Sequence, residues 1–251
     1  MTAAIVVQLP TDNGIPRMVE RNKAATLAID VYNSAGGAKI TSTAASATIV
    51  ITVGNREIVN ASATPNSGGS TAIYSLAAAT TADEDLTDQW LEVWTITLSD
   101  GTIHTVRQVG YLVRHVLNPK ILDADLIDYH NDLDNVRPSG ESDFSRYRDA
   151  AWRILNRDLI RKGRRPELVL DSWALVDLHI SKTLEILFKD LTTYLGDGRY
   201  LDLADRYRDQ YAEQWGSLVL KYDRDEDGTI DASEGEALHP VIFLNRPPRV
   251  G

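Results

Sequence analysis

The spacing of the apolar residues changes near Asn118-Pro119, and this change constrains the fold more than any other feature of the chain. Before this point, apolar and polar residues alternate in short runs rich in Val, Ile and Thr, which is the pattern of half-buried β-strands. After it, apolar residues recur every three or four positions, which is the pattern of amphipathic helices. We therefore predict an α+β multidomain protein with a boundary near Asn118-Pro119.

Residues 1–117 are predicted to form an immunoglobulin-like β-sandwich. Six or seven short strands are separated by turn signals, and the clearest pair, Trp90 to Leu98 and Thr102 to Leu117, is joined by Ser99-Asp100-Gly101. An Asp-Gly pair favours the positive φ angles of a tight hairpin turn. The number and spacing of the strands favour a sandwich, but the pattern alone does not distinguish a sandwich from a closed barrel.

Residues 118–222 are predicted to form an α-helical bundle. The apolar residues of each predicted helix fall on one face, and that face must be buried against another helix, so three or four helices should pack together. Glycines mark the ends of the helices at Gly163, Gly196 and Gly198. The predicted helices cover residues 123–133, 142–162, 172–195 and 200–222.

Residues 223–251 contain an EF-hand-like calcium loop and a C-terminal arm. The loop fits the pattern D-x-[DN]-x-[DN]-G-x5-E at every defined position. Its carboxylates are hard oxygen ligands, Gly228 permits the sharp turn, and the last acidic residue can close the site with two oxygens. The predicted ligands of a structural Ca²⁺ ion are Asp223, Asp225, Asp227, Thr229, Asp231 and Glu234.

Both sides of this loop bear on the calcium prediction. The incoming helix is expected to end at Lys221-Tyr222, where an EF-hand requires it, but Gly235 and His239-Pro240 leave barely two turns for an outgoing helix. A calcium sensor that opens a groove is therefore not expected, because its moving second helix is missing. The alternative to a structural calcium site is an acidic loop that binds weakly, or one that holds Mg²⁺ with retained waters.

No enzymatic signature is present. The chain has no cysteine, and it lacks the nucleophile-elbow, dinucleotide-binding and P-loop motifs. The five histidines stand far apart and are expected to be surface or core residues, and the five tryptophans lie in periodic segments, where most should fill cores. The net charge of −10 disfavours a sequence-independent nucleic-acid binder. The cationic run from Arg161 to Arg165 is interpreted as a helix C-terminus, with contact to an acidic partner or a DNA backbone as the alternative.

Four features make the chain resemble the head-to-tail adaptor (connector) proteins of tailed bacteriophages. The first is the β-hairpin from Trp94 to Arg107, which continues through Tyr111 to His115 into N-P-x-x-x-D-A-D-L at Asn118 to Leu126. The others are the character of the helices at 171–180, 184–191 and 203–211, the Y-D-x-D-x-D-G loop, and the short C-terminal arm at 241–250. The likeness covers most of the chain, but it is one of helix character and order.

The resemblance implies a structural virion protein and not an enzyme. Such a protein would form a homo-oligomeric ring, commonly a dodecamer, that connects the portal of the capsid to the tail and its stopper or nozzle proteins. The ring would line a channel through which DNA passes, and an acidic wall would not hold that DNA. The protein would be assembled in the host cytoplasm and act at the head–tail interface of the virion, without contact to a membrane.

Two further expectations accompany this interpretation. The arm from Leu238 to Arg249 could add as a strand to a neighbour's sheet or fold onto its own domain. The competing function, from a different class, is a calcium-dependent surface or carbohydrate-binding module made of a β-sandwich with an appended calcium loop. The N-terminus does not read as a secretion signal, which counts against the surface module.

Overall fold

The structure, a computed structural model, describes residues 5–8, 16–33, 44–138, 140–170 and 172–223. Strands come first and helices follow. The strands are β1 (Ile5–Gln8), β2 (Arg17–Glu20), β3 (Ala25–Asn33), β4 (Ala44–Val53), β5 (Arg56–Pro65), β6 (Thr71–Leu76), β7 (Thr87–Leu98) and β8 (Ile103–Val113). The α-helices are α1 (Asp123–Tyr129), α2 (Ser145–Arg161), α3 (Val176–Leu195) and α4 (Gly198–Ser217).

The strands form where the sequence alternates. In β7, every second side chain from Trp90 to Leu98 is buried, and the residues between them are partly exposed. The hairpin between β7 and β8 turns where Asp100-Gly101 predicted it, with Gly101 at a φ of 82°. The buried side chains of the strands form one apolar cluster, in which Trp90, Trp94 and Ile96 are fully buried. This hairpin prediction is confirmed.

The strands form one sheet that is nearly closed. Their order is β1-β3-β6-β5-β4-β7-β8-β2. The sheet curls until β1, at one end, lies beside β8, next to the other end, so its shape is that of an almost closed barrel. The predicted immunoglobulin-like β-sandwich is therefore wrong.

Two strand pairings explain why the sandwich prediction failed. The pairing of β5 with β6, through Thr64 with Ile73 and Pro65 with Ala72, links β1, β3 and β6 to the other strands, so the strands form one sheet and not two. The short strand β2 adds to β8 in parallel, with Arg17 opposite Gly110. Alternation identifies strands and the face that their residues share, but the choice of partner strand depends on contacts between residues far apart in the chain.

The helices pack around α3. Helices α2 and α4 both lie against it, while α1 has seven residues and is too short to act as a fourth long helix. The prediction of an α-helical bundle over residues 118–222 is wrong, because some of the apolar faces pack against residues outside the helices. The cluster built on Leu155, Leu159 and Trp215 includes Leu86, which precedes β7, and Leu117, which follows β8.

This shared cluster positions the last strand against the helical part of the chain. The backbone N–H of Arg114, directly after β8, donates to the carbonyl of Glu167 at 3.3 Å. Burying Leu86 and Leu117 among helical residues removes apolar surface from water on both sides of the predicted boundary. The division into residues 1–117 and 118–222 stays a prediction.

Candidate functional site

The sheet and the helical part meet at an ion pair between Arg114 and Asp223. A guanidinium nitrogen of Arg114 lies 2.7 Å from Oδ2 of Asp223, and the Asp223 side chain is fully buried. The backbone N–H of Asp223 donates to the carbonyl of Leu168 at 3.1 Å. A buried carboxylate requires a partner of opposite charge, and Arg114 supplies it. Asp223 is thus held by both its backbone and its side chain.

The chain enters the predicted calcium loop in an extended form, not as a helix. Helix α4 ends at Ser217, and Leu218 already has the extended angles φ −64° and ψ 120°. Tyr222 then pairs as an isolated antiparallel bridge with Val169. The expectation of an incoming helix that ends at Lys221-Tyr222 is wrong, and so is the EF-hand-like architecture. The pairing of Tyr222 with Val169 replaces the last helical turn.

One of the predicted calcium ligands lies within the described residues, and the other five do not. Asp223 is described, and its carboxylate already pairs with Arg114. The other predicted ligands lie outside the described residues, as does the C-terminal arm: Asp225, Asp227, Thr229, Asp231 and Glu234. Among the described residues there is no group of three or more His, Asp or Glu side chains that could hold a metal ion.

A second buried charge lies inside the curled sheet. Glu92, on β7, is fully buried and accepts hydrogen bonds from the indole N–H groups of Trp90 at 3.0 Å and Trp94 at 2.9 Å. Arg17 of β2 donates to the same carboxylate at 3.2 Å. Burial lowers the pKa of Arg17, and the charge of Glu92 opposes that shift. This buried group was not predicted from the sequence, although a glutamate at an inward position between two tryptophans was a visible signal.

An exposed aromatic surface lies at the start of α3. Trp173 and Leu122 are each 65% exposed, and Tyr129 is 45% exposed. Three contacts hold this surface together: Ser172 to the carbonyl of Asn118 at 2.5 Å, the Lys120 ammonium 5.7 Å from the Trp173 ring, and the Tyr129 hydroxyl to Asp177 at 3.2 Å. Trp90, Trp94 and Trp215 are buried, as expected for most of the tryptophans, whereas Trp173 is exposed.

We define the tryptophan patch as Leu122, Asp128, Tyr129, Trp173 and Asp177. Both aspartates are exposed. Trp and Tyr are over-represented among residues that dominate protein–protein binding energies. The tryptophan patch therefore combines an aromatic centre with two exposed aspartates, and the Lys120 ammonium lies against its tryptophan.

A groove with a different character runs between α2 and α3. It has a volume of about 470 Å³, and its lining carries three basic groups. The Tyr147 hydroxyl donates to Asp190 at 2.5 Å across the groove, and burial together with this bond raises the pKa of Tyr147. We define the α2–α3 groove by the charged and aromatic members of its lining, which are Arg146, Tyr147, Arg153, Lys189 and Asp190.

The cationic run Arg161 to Arg165 lies at a helix end. Helix α2 ends at Arg161, and Gly163 follows with a φ of 70°. The Lys162 ammonium lies 5.1 Å from the centre of the Trp215 ring, and Arg165 pairs with Glu167 at 2.7 Å. The interpretation of this run as a helix C-terminus agrees with the structure, because α2 ends at Arg161.

Comparisons with known proteins do not identify a family or a function for this site. No family model matches the chain, and no curated protein matches it in sequence. Among solved structures, the chain is similar to a crystal structure of an engineered protein, with 14% sequence identity and a TM-score of 0.32. That match covers 44% of this chain and 20% of the engineered protein. A likeness this weak carries no argument about fold or function.

Among the described residues, no helix has both the length and the apolar sequence that crossing a membrane requires.

Proposed function

We propose that this protein is a structural subunit of a tailed-phage virion that assembles into a ring between the portal and the tail. The observation that carries the proposal is the exposed tryptophan patch, in which Trp173 and Leu122 keep 65% of their surface exposed. Neighbouring exposed apolar side chains with polar residues at their edge mark interaction sites, and an assembling subunit needs such a contact surface. The resemblance of the sequence to connector proteins supplies the identity of the assembly.

Two properties of the chain support a structural role over catalysis. The two buried carboxylates described above, Glu92 and Asp223, are each neutralised by an arginine, so they are committed to the fold. The net charge of −10 suits a ring through which DNA passes without being retained. In this proposal the partners are further copies of the chain, the portal protein, and a tail, stopper or nozzle protein.

Calcium binding is a separate part of the proposal. The loop would hold Ca²⁺ through Asp225, Asp227, Asp231 and Glu234, with the carbonyl of Thr229. Asp223 would be shared between the ion and Arg114, because its Oδ2 lies 2.7 Å from that guanidinium. The experiment is a calorimetric titration of the full chain with Ca²⁺, in parallel with Mg²⁺. Heat with Ca²⁺ supports the site, and the absence of heat with either ion rejects it.

The experiment for the ring combines microscopy with a binding assay. The purified full chain is examined by negative-stain microscopy and light scattering at high concentration, alone and mixed with the portal protein of the same genome. Closed rings, or a stable complex with the portal, support the proposal. A monomer that does not bind the portal rejects it, and glycan binding by that monomer would favour the carbohydrate-binding module.

A further inference from the structure

We infer that the outer face of α2 binds the phosphate backbone of a nucleic acid. We define this arginine face as Arg153, Arg157, Arg161 and Lys162. The inference goes beyond the proposed ring, because it concerns one face of one helix and requires no second copy. The chain as a whole is acidic, but exposed charges more than about 10 Å apart are largely screened at 0.1 M salt. A local group of cations can therefore bind phosphates.

The arginines of this face form a regular row. Arg153, Arg157 and Arg161 follow one another at every fourth position of α2, so their Cα atoms advance by about 6 Å per step along the helix axis. Arg157 and Arg161 are exposed, and Arg153 is half-buried where it lines the α2–α3 groove. The buried side chains of α2, such as Leu155 and Leu159, lie on the opposite side. A row of this kind matches a polyanion whose charges repeat along a line.

The guanidinium groups of this row are available to a ligand. Among the described residues, Arg153, Arg157 and Arg161 have neither an ion pair nor a side-chain hydrogen bond. Exposed arginines elsewhere in this acidic protein do have carboxylate partners, as Arg208 has in Asp205 at 2.6 Å. The arginine face therefore carries charge that the fold leaves uncompensated.

The carboxylates near the row do not neutralise it. Asp158 accepts a hydrogen bond from the Tyr211 hydroxyl of α4 at 2.9 Å. Asp190, on the far side of the α2–α3 groove, accepts one from Tyr147 at 2.5 Å. Asp149, one turn before the first arginine of the row, is exposed and forms no ion pair within the described part of the chain. The face thus keeps its positive charge.

The chemistry of the arginine face favours phosphates over a protein partner. A guanidinium group presents a planar fork of donors that matches the oxygens of a phosphate. Protein–protein interfaces have an apolar core, and none of the large apolar side chains that are exposed in the described residues lies on α2. Protein–DNA interfaces are more polar and more positively charged, as this face is.

The number of contacts determines how firmly a nucleic acid would be bound. Each neutralised phosphate of duplex DNA contributes about −0.9 to the slope of log K against log salt, so three arginines predict a slope of about −2.7. The affinity would then fall roughly 40-fold between 50 and 200 mM salt. Binding of this strength lets DNA move along the face, which agrees with passage of DNA and not with its retention.

The first test measures binding of the full chain to a short labelled DNA duplex by fluorescence anisotropy, between about 50 and 200 mM salt. Arg157→Ala should weaken binding on the order of tenfold at the lowest salt and make the slope shallower by about 0.9. Arg157→Lys keeps the charge and should keep the slope. The circular dichroism of both variants should equal that of the wild type, because the side chain is exposed.

Arg208→Ala is the matched control. It removes one positive charge from an exposed position on α4, where Arg208 pairs with Asp205, and should change neither the affinity nor the slope. Absence of duplex binding by the wild type at the lowest salt overturns the inference. Equal losses in Arg157→Ala and Arg208→Ala also overturn it, because the effect would then come from the net charge of the chain.

The second test replaces the duplex with polyglutamate of equal charge, which represents an acidic protein partner. We expect weaker binding than to the duplex, because a row of guanidinium groups fits phosphates better than flexible carboxylates. If the chain binds polyglutamate at least as tightly as DNA, and Arg157→Ala removes that binding, the face binds an acidic protein and the inference is wrong.

The outcomes separate this inference from the proposed function. Rings or a portal complex formed by a chain that does not bind the duplex reject the arginine face and leave the connector proposal in place. Duplex binding that depends on Arg157, in a chain that neither forms rings nor binds the portal, supports the arginine face and rejects the connector.

Discussion

Arg114 holds Asp223 at 2.7 Å in a place where the Asp223 side chain has no exposure to solvent. The pair joins the residue after the last strand to the last described residue of the chain. Its position makes Asp223 a structural residue, whatever the loop that follows it binds.

The first prediction separates the structural role of Asp223 from metal binding. Asp223→Asn should lower the free energy of unfolding by about 3–5 kcal/mol in the presence of chelator, because it leaves the largely buried charge of Arg114 without its partner. The control is Asp227→Asn, which changes a predicted calcium ligand and should leave stability in chelator unchanged. Urea denaturation measures both. Equal losses in the two variants would contradict the assignment.

The second prediction concerns the packing of β8 against β2 and β7. A Cβ atom at Gly110 would lie 2.6 Å from the carbonyl oxygen of Arg17 and 2.9 Å from Cδ1 of Trp90. Gly110→Ala should therefore destabilise the protein by about 1–3 kcal/mol, the usual range for overpacking. Thermal denaturation followed by tryptophan fluorescence measures the loss.

Gly216 supplies the matched control for this variant. It lies in α4, where an added Cβ would meet nothing within 4 Å. Gly216→Ala should leave stability unchanged or raise it by at most about 1 kcal/mol, because alanine loses less backbone entropy than glycine in a helix. If Gly110→Ala changes stability no more than Gly216→Ala does, this would contradict the close approach of β2 to β8.

The third prediction concerns Glu92 inside the sheet. Glu92→Gln keeps the shape of the side chain but removes the charge that neutralises Arg17, so we expect a loss of about 3–5 kcal/mol. The double variant Glu92→Gln/Arg17→Met removes both charges and should recover part of that loss. Urea denaturation of the two variants and the wild type gives the comparison. A double variant less stable than Glu92→Gln would show that the ion pair is not the cause.

The fourth prediction is a pH dependence that originates at His179. This residue is fully buried on α3, and its Nε2–H donates to the carbonyl of Arg148 at 2.8 Å. Burial is the main cause that lowers the pKa of His179. The folded protein therefore resists protonation of this ring, while the unfolded chain takes up a proton below a pH of about 6.5.

The sign of the effect follows from this difference in bound protons. Stability is lost as the pH falls below about 6.5, by at most about 1.4 kcal/mol per pH unit, until the folded state also binds the proton. Urea denaturation at pH 7.5 and at pH 5.5 measures the loss. His179→Gln should show a smaller difference between the two pH values, and an equal difference would exclude His179 as its source.

Local structure was largely predictable from the sequence, and the arrangement of the strands was not. The hairpin of β7 and β8 was predictable because Asp100-Gly101 marks its turn, and α3 was predictable because its apolar residues share one face. Helix α4 was predicted to reach Tyr222 but ends at Ser217. Instead of continuing the helix, Tyr222 pairs with Val169. No local pattern encodes a pairing between residues so far apart in the sequence.

Glu92 and Trp173 show the same difference between what a local pattern predicts and what long-range contacts decide. A glutamate at an inward strand position was visible in the sequence, but its neutralisation by Arg17 of β2 required the parallel pairing of β2 with β8. Likewise, Trp173 begins an apolar run in the sequence, and its 65% exposure depends on tertiary packing that the run does not encode.

The attachment of Asp223 also has a mechanical consequence. A pull on the chain beyond residue 223 would not first unravel α4, because the load meets the hydrogen bond to Leu168 and the ion pair with Arg114. Through Arg114 the force would enter the end of β8, where it is shared by the strand's long pairing with β7. The contacts of Asp223 would therefore pass tension on the chain to the sheet and not to α4.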